Sequence, residues 1–280
     1  MAHKNQVLER ASKKPIVWDA FYKSDDIQKP MVVFCHGYKG FKDWGAWDLV
    51  AEAFADAGFF FVKFNFSHNG GTVAQPIDFP DLEAFAENNY SKELDDLKNL
   101  IDFLHSMENP FYAEMDPNNL TLIGHSRGGG IVTIFASEDP RITKVISWAG
   151  VSDFGKRTAT SGELEEWKTT GVKYVENGRT KQQMPHHYQF YEDFKANESR
   201  LNIEKATKNL DIPQLIIHAT DDPSVKFSEA EDLHSWNPES TLYSINNSDH
   251  VFSASHPWYK NEIPAPLKEV VTESIRFIKA

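Results

Sequence analysis

Six short runs constrain this chain more than any other feature: "MVVFC", "FFFVKFNF", "LTLIGH", "ITKVISWAG", "PQLIIHAT" and "STLYSIN". Each has the length of a strand, and most are apolar at successive positions rather than at every second one. Strands of that kind must be covered on both faces, the condition of a parallel sheet between two helical layers. The intervening segments supply the helices. "WGAWDLVAEAFADAG" has apolar residues at helical spacing and stops on glycine, and "SKELDDLKNLIDFLHSM" opens on a serine expected to cap it. "GGIVTIFAS", "KFSEAEDLHSW" and "APLKEVVTESIRFIKA" read as further helices, and "QVLER" with "PIVWDAFY" reads as an opening hairpin. The expected fold is α/β, a mostly parallel sheet with helices on both faces.

One connection breaks the pattern. From Ser152 to Leu210 roughly sixty residues separate two core strands, where such connections usually take roughly 2–6. The stretch is aromatic and reads as helical, so 152–210 is expected to form a helical cap inserted over the carboxyl edge of the sheet. The whole of 1–280 is then one domain, a size that large α/β domains reach.

The formal charge of −12 comes with scattered Lys and Arg, which leaves no basic footprint for nucleic acid. "MAHKNQVLERASKKP" has no apolar signal region, and no stretch approaches the ~18 apolar residues of a membrane span. A cytoplasmic protein with no membrane partner is the expectation. The single cysteine, Cys35, lies in an apolar run and reads as a core residue. Nothing in the sequence bears on oligomeric state.

Chemistry concentrates in "NLTLIGHSRGGGIVTIFASEDP", where Ser126 stands between a strand and a helix as Gly-His-Ser-Arg-Gly. Open α/β sheets gather their functional groups at such strand ends. Gly124 and Gly128 read as clearance for a turn too tight for larger side chains, and the serine is expected in a strained conformation that exposes its hydroxyl. A phosphate-cradling loop would carry Lys-Ser/Thr after its glycines; here the glycines follow the serine. A serine hydroxyl becomes a nucleophile only when a base takes its proton. "IIHATDDPSV" ends a strand with two aspartates, of which Asp222 is the candidate acid and Asp221 reads as a turn former. "SINNSDHVFSAS" then offers His250 as the base. Solvation is the competing reading for a lone loop histidine, and the chain order Ser, Asp, His weighs against it.

Two backbone N–H groups must face the charge that develops on a substrate oxygen. The candidates are Arg127, directly after the serine, and Tyr38 in "CHGYKG". The Arg127 side chain is expected to be exposed, with only its amide used. His36 and His125 read as structural, the first holding its loop and the second packing below the turn. In the cap, Trp167, Tyr174, Met184, His187 and Tyr188, with Phe190 and Tyr191, are candidates for lining an acyl or alcohol pocket. Packing of the cap onto the core is the competing reading. His186 and His187 are adjacent and point apart, and no ligand cluster is evident around them, so no metal site is expected.

Taken together, the Gly-His-Ser-Arg-Gly turn, the His36-Gly37-Tyr38 loop, Asp222 and His250 make the chain resemble an α/β-hydrolase-fold serine hydrolase over nearly its whole length. "HGYKGFKDWGAWDLVAEAFADAGFFFVKFNFSHNG" is similar to the branch holding cinnamoyl and feruloyl esterases and prolyl-oligopeptidase-like peptidases. Related dienelactone hydrolases use cysteine at the position of Ser126. The resemblance implies a Ser126-His250-Asp222 triad, an acyl-enzyme, no metal or organic cofactor, and a small-molecule ester substrate, possibly with an aromatic acyl group. Peptide or amide and thioester substrates stay open at this point. So does a catalytically silent ligand-binding protein on the same fold.

Overall fold

The computed structural model describes residues 1–25, 27–158 and 163–280. Strands β1 (Ala2–Leu8) and β2 (Ile16–Phe21) form the expected hairpin. They are followed by β3 (Lys29–Cys35), α1 (Trp47–Asp56), β4 (Phe60–Phe64), α2 (Leu82–Ala86), α3 (Tyr90–Leu104), β5 (Met115–His125), α4 (Arg127–Glu138) and β6 (Ile142–Trp148). The inserted segment holds α5 (Gly155–Thr158), α6 (Leu164–Thr170), β7 (Val172–Glu176), β8 (Gln183–His187), α7 (Gln189–Ala196) and α8 (Ile203–Lys208). Then come β9 (Gln214–Ala219), α9 (Phe227–Trp236), β10 (Thr241–Ile245) and α10 (Ala265–Lys279). Among the described residues no helix is long and apolar enough to cross a membrane.

Eight strands form one sheet in the order β1-β2-β4-β3-β5-β6-β9-β10, in which β2 runs against its neighbours and β4 through β10 are parallel. The apolar runs divide their side chains between two cores as a buried strand must. Val33, Cys35, Leu120 and Leu122 face a core shared with α3, α4, α8 and α9, whereas Val32, Phe34 and Ile123 face one shared with α1 and α10. On the second face the Trp148 indole N–H donates to Ser274 Oγ of α10 at 3.0 Å, so the closing helix is keyed to the sheet by a hydrogen bond as well as by packing.

Two local expectations change. The cap of α3 is Asn89, whose side chain accepts the Lys92 amide at 2.8 Å; Ser91 instead donates to Asp193 of α7. More importantly, the inserted segment is not purely helical. At its centre β7 and β8 pair antiparallel, joined by the loop 177–182, which the Asn177 amide closes by donating to Gln182 O at 2.8 Å. A longer loop containing Gly178 between two strand-length segments fits a hairpin connection and not the helical reading of the flanking aromatics. The expectation for 159–162 lies outside the described residues. The segment sits over the carboxyl ends of the strands and shares their core, since Trp167, Phe190 and Phe194 belong to the cluster containing Val33 and Leu122.

Candidate functional site

Ser126 occupies the step from β5 into α4 with φ 57° and ψ −120°, the left-handed side of the backbone map that costs a non-glycine residue about 1–3 kcal/mol. Its peptide is pinned on both sides. The Ser126 amide donates to Trp148 O at 2.9 Å, and Ser126 O accepts the Gly129 and Val151 amides at 3.0 and 3.2 Å. The flanking glycines are obligatory. A Cβ on Gly124 would stand 2.2 Å from Gly128 O, and one on Gly128 would stand 2.4 Å from Cys35 O. Gly37 belongs to the same knot, since a Cβ there would lie 2.8 Å from Ser126 Cβ. The His36-Gly37-Tyr38 loop therefore runs directly against the serine.

Asp222 and His250 arrive on the turns after β9 and β10. The His250 Nδ1–H donates to Asp222 Oδ2 at 2.7 Å, and Asp222 Oδ1 accepts the Ser224 and Val225 amides at 2.8 and 2.9 Å. Burial alone would raise the Asp222 carboxyl. Contacts from His218 and His250 and the Val225 amide outweigh it and hold the group well below the usual carboxylate range. His218 is a residue that sequence reading missed. Fully buried in β9, it meets Val225 O at 2.9 Å and Asp222 Oδ2 at 3.5 Å from beneath. Its signal was its place four residues before Asp222, in the strand leading to it.

Two further imidazoles hold the loops. Burial lowers His36 to about 4 and His125 to about 3, so both are neutral near pH 7. His36 Nδ1–H donates to Gly37 O at 2.9 Å while its Nε2 accepts the Phe66 amide at 3.3 Å. His125 Nε2–H donates to His250 O at 2.9 Å, so this residue supports the His250 loop in addition to packing under the turn.

Ser126 and His250 line one open pocket of about 130 Å³ with Gly37, Tyr38, Trp44 and Trp47. Among the described residues no hydrogen bond joins Ser126 to His250; such bonds often form only when substrate arrives. The Tyr38 and Arg127 amides are not spent on any acceptor among the described residues.

With that turn, sheet and strand-end constellation in view, the decisive finding is a family match: residues 30–182, more than half of the chain, fit the model of the alpha/beta hydrolase fold. The chain belongs to the α/β hydrolase fold family. A curated relative, the quorum-quenching protein AidA of Acinetobacter baumannii (strain MDR-ZJ06), is 28% identical over 147 residues, spanning 52% of this chain and 44% of that protein. The match thus spans less than half the length of that relative. Among solved structures, the esterase domain of a Rhodothermus marinus protein superposes with a TM-score of 0.64 at 18% identity, covering 99% of both chains. Est1E from Butyrivibrio proteoclasticus gives 0.68 at 14% identity, covering 99% of this chain and 100% of its own. These superpositions speak to the fold.

Several expected roles in this α/β hydrolase need correction. The Arg127 side chain is largely covered, with 13% of it exposed, rather than solvent-facing. Its guanidinium lies over the rings of Tyr38, Tyr90 and Phe190 at 4.3, 5.2 and 5.5 Å and reaches Glu93 of α3 at 3.5 Å. None of the seven cap candidates lines the Ser126 pocket. Trp167 is buried, its indole donating to His186 O at 2.8 Å, and Met184 is packed against Phe41, Phe79 and Phe85. Tyr188 stacks edge-on against Trp167, and Tyr174 is 60% exposed. His187 Nδ1 faces Glu87 at 2.5 Å and Glu83 at 4.0 Å, so carboxylates do gather around it, in a contact that ties the end of α2 to β8. The aromatic walls come instead from Trp44 and Trp47, signalled by two tryptophans soon after the Tyr38 loop.

Proposed function

We propose that the protein is a serine hydrolase that cleaves carboxylic esters of small or medium size through a Ser126 acyl-enzyme. What carries the reading is the 2.7 Å bond from His250 Nδ1 to Asp222, in a pocket that His250 shares with a strained Ser126. With Asp222 charged, Nδ1 keeps its proton and Nε2 is left to accept one. His250 then takes the Ser126 proton as Oγ attacks the acyl carbon, and the Tyr38 and Arg127 amides receive the oxyanion. Collapse breaks the carbon–oxygen bond to the alcohol, which leaves with the proton from His250. Water, deprotonated by the same imidazole, releases the acid and restores the serine. The aromatic pocket walls, and the fact that Est1E has been solved with ferulic acid bound, support an aromatic acyl group as one candidate substrate feature.

Ser126→Ala should lower p-nitrophenyl butyrate turnover by at least roughly 10⁴-fold while leaving the circular dichroism spectrum unchanged. A fluorophosphonate probe should label the wild type and not the variant. A folded wild type that neither turns over nor labels would make the protein a ligand-binding member of the fold.

A further inference from the structure

We propose that Tyr38 is a positioning residue that links the cap hairpin to the oxyanion hole, its ring clamped by Arg127 and its hydroxyl by His186. The inference rests on the hydrolase reading above. The two amides assigned to the oxyanion are held by different means. Arg127 is the first residue of α4, so its N–H is aimed by the helix. Tyr38 sits in an irregular loop between Gly37 and Lys39, and Lys39 has a φ of 55°. His36 and the Gly40-to-Gly37 turn bond of 3.0 Å hold the Gly37 carbonyl, and with it one edge of the planar peptide that carries the Tyr38 N–H, while the Tyr38 side chain anchors the other end of that residue.

That side chain has two anchors. The Arg127 guanidinium lies 4.3 Å from the Tyr38 ring centroid, so the side chains of the two amide donors stack on each other. Tyr38 Oη meets His186 Nε2 at 2.9 Å, and His186 stands in β8, the inner strand of the cap hairpin. The direction of this bond is settled. Burial, with the Arg127 charge adding to it, lowers His186 to about 3, so the ring is neutral. Its Nδ1–H faces Met184 O at 3.2 Å, which leaves Nε2 as the acceptor and Tyr38 as the donor. The Trp167 indole holds the His186 carbonyl from behind at 2.8 Å. The chain of contacts therefore runs from α6 through His186 and the Tyr38 hydroxyl to an amide facing the reacting oxygen.

Tyr38→Phe keeps the ring and the Arg127 stack and deletes only the bond to His186. Deleting an oxyanion donor costs roughly 10²–10³ in kcat; loosening its aim should cost less, about 5- to 20-fold, with KM changed by less than about twofold. Affinity for a trifluoromethyl ketone, whose adduct places an oxyanion in the hole, should weaken by the same factor as kcat. His186→Leu should match Tyr38→Phe, and the double variant should be no worse than either single one, because all remove one bond. His186→Gln, whose amide oxygen still accepts the Tyr38 proton, should recover most of the loss and guards against a leucine variant that does not fold. A folded Tyr38→Phe with wild-type kcat, or losses that multiply in the double variant, would overturn the clamp while leaving the hydrolase reading intact. Absence of Ser126-dependent turnover in the wild type would overturn both.

Discussion

Two buried charge clusters flank the loop that carries Tyr38, and they are built in opposite ways. On one side Asp19, Lys42 and Lys63 are completely buried. Asp19 meets Lys42 at 2.8 Å, Lys63 at 2.6 Å and the Asn5 amide at 2.7 Å. Asp43 bridges the same two ammonium groups at 2.6 and 2.5 Å, and Asp48 meets Lys63 at 2.8 Å. On the other side Arg127 approaches Glu93 only to 3.5 Å, and Glu93 Oε2, Asn88 Oδ1 and the Tyr90 hydroxyl have no partner among the described residues. Charges bonded at several points cannot shift without baring an ion, whereas a guanidinium lying against ring faces has room to adjust. The first cluster therefore fixes the path from Tyr38 to α1. The second steadies the residue beside the nucleophile and leaves it some freedom.

Removing the shared cation should break the first cluster outright. Lys63→Met leaves three carboxylates facing one another in place of an ammonium, and breaking a buried pair this way typically costs about 3–5 kcal/mol. In the wild type burial would raise Asp43, but Lys63 and Lys42 outweigh it and hold its carboxyl far below the usual range; Lys63→Met deletes the larger of those two contributions and leaves Lys42 alone to serve both Asp19 and Asp43. Urea denaturation followed by tryptophan fluorescence measures the loss. A change under about 1 kcal/mol would erase the contrast between the clusters.

The same contrast explains what could be read without coordinates. Turns where backbone meets backbone leave only glycine possible, so Gly124 and Gly128 announce the Ser126 turn in the sequence itself. The order of strand ends does the same for Asp222 and His250. The burial of Arg127 is different, because its three rings come from residues 38, 90 and 190, on a loop, on α3 and on α7. No local pattern joins positions so far apart. The cap hairpin fails for a third reason. β7 is largely exposed, so no burial alternation marks it, and the loop 177–182 carries no two-residue turn signature to announce the hairpin.

Between the two extremes stand the neutral imidazoles, buried rings that must take on a charge as pH falls. His125 takes up a proton in the folded chain only near pH 3, whereas its unperturbed value is 6.5. Across that interval the unfolded chain binds more protons, so stability is full above about 6.5 and falls as pH falls, by about 1.4 kcal/mol per unit for each such group. Between pH 6.5 and 4.5 His125 alone should contribute a loss of about 2 kcal/mol. His125→Asn keeps a donor for His250 O and cannot titrate, so its stability should fall less steeply with pH by about one proton's worth. Parallel curves for the two proteins would remove His125 from the account.

The smallest effects belong to the Arg127 cluster and test whether it is as adjustable as its geometry indicates. Arg127→Met removes the guanidinium and leaves Glu93 buried. Burial already lifts the Glu93 carboxyl, with Arg127 and Asn88 offsetting only part of that rise, so once the cation is gone the acid can take a proton and shed its charge. The expected loss is about 1–2 kcal/mol, well below that of Lys63→Met, and it should shrink as pH falls toward 5. Glu93→Gln goes further. It deletes the charge while keeping an oxygen for Asn88 and for Arg127, whose guanidinium retains its three rings. Stability should then change by less than about 1 kcal/mol. A loss as large as that of Lys63→Met would show that the 3.5 Å pair is a rigid anchor after all, and that the ring faces do not carry the arginine.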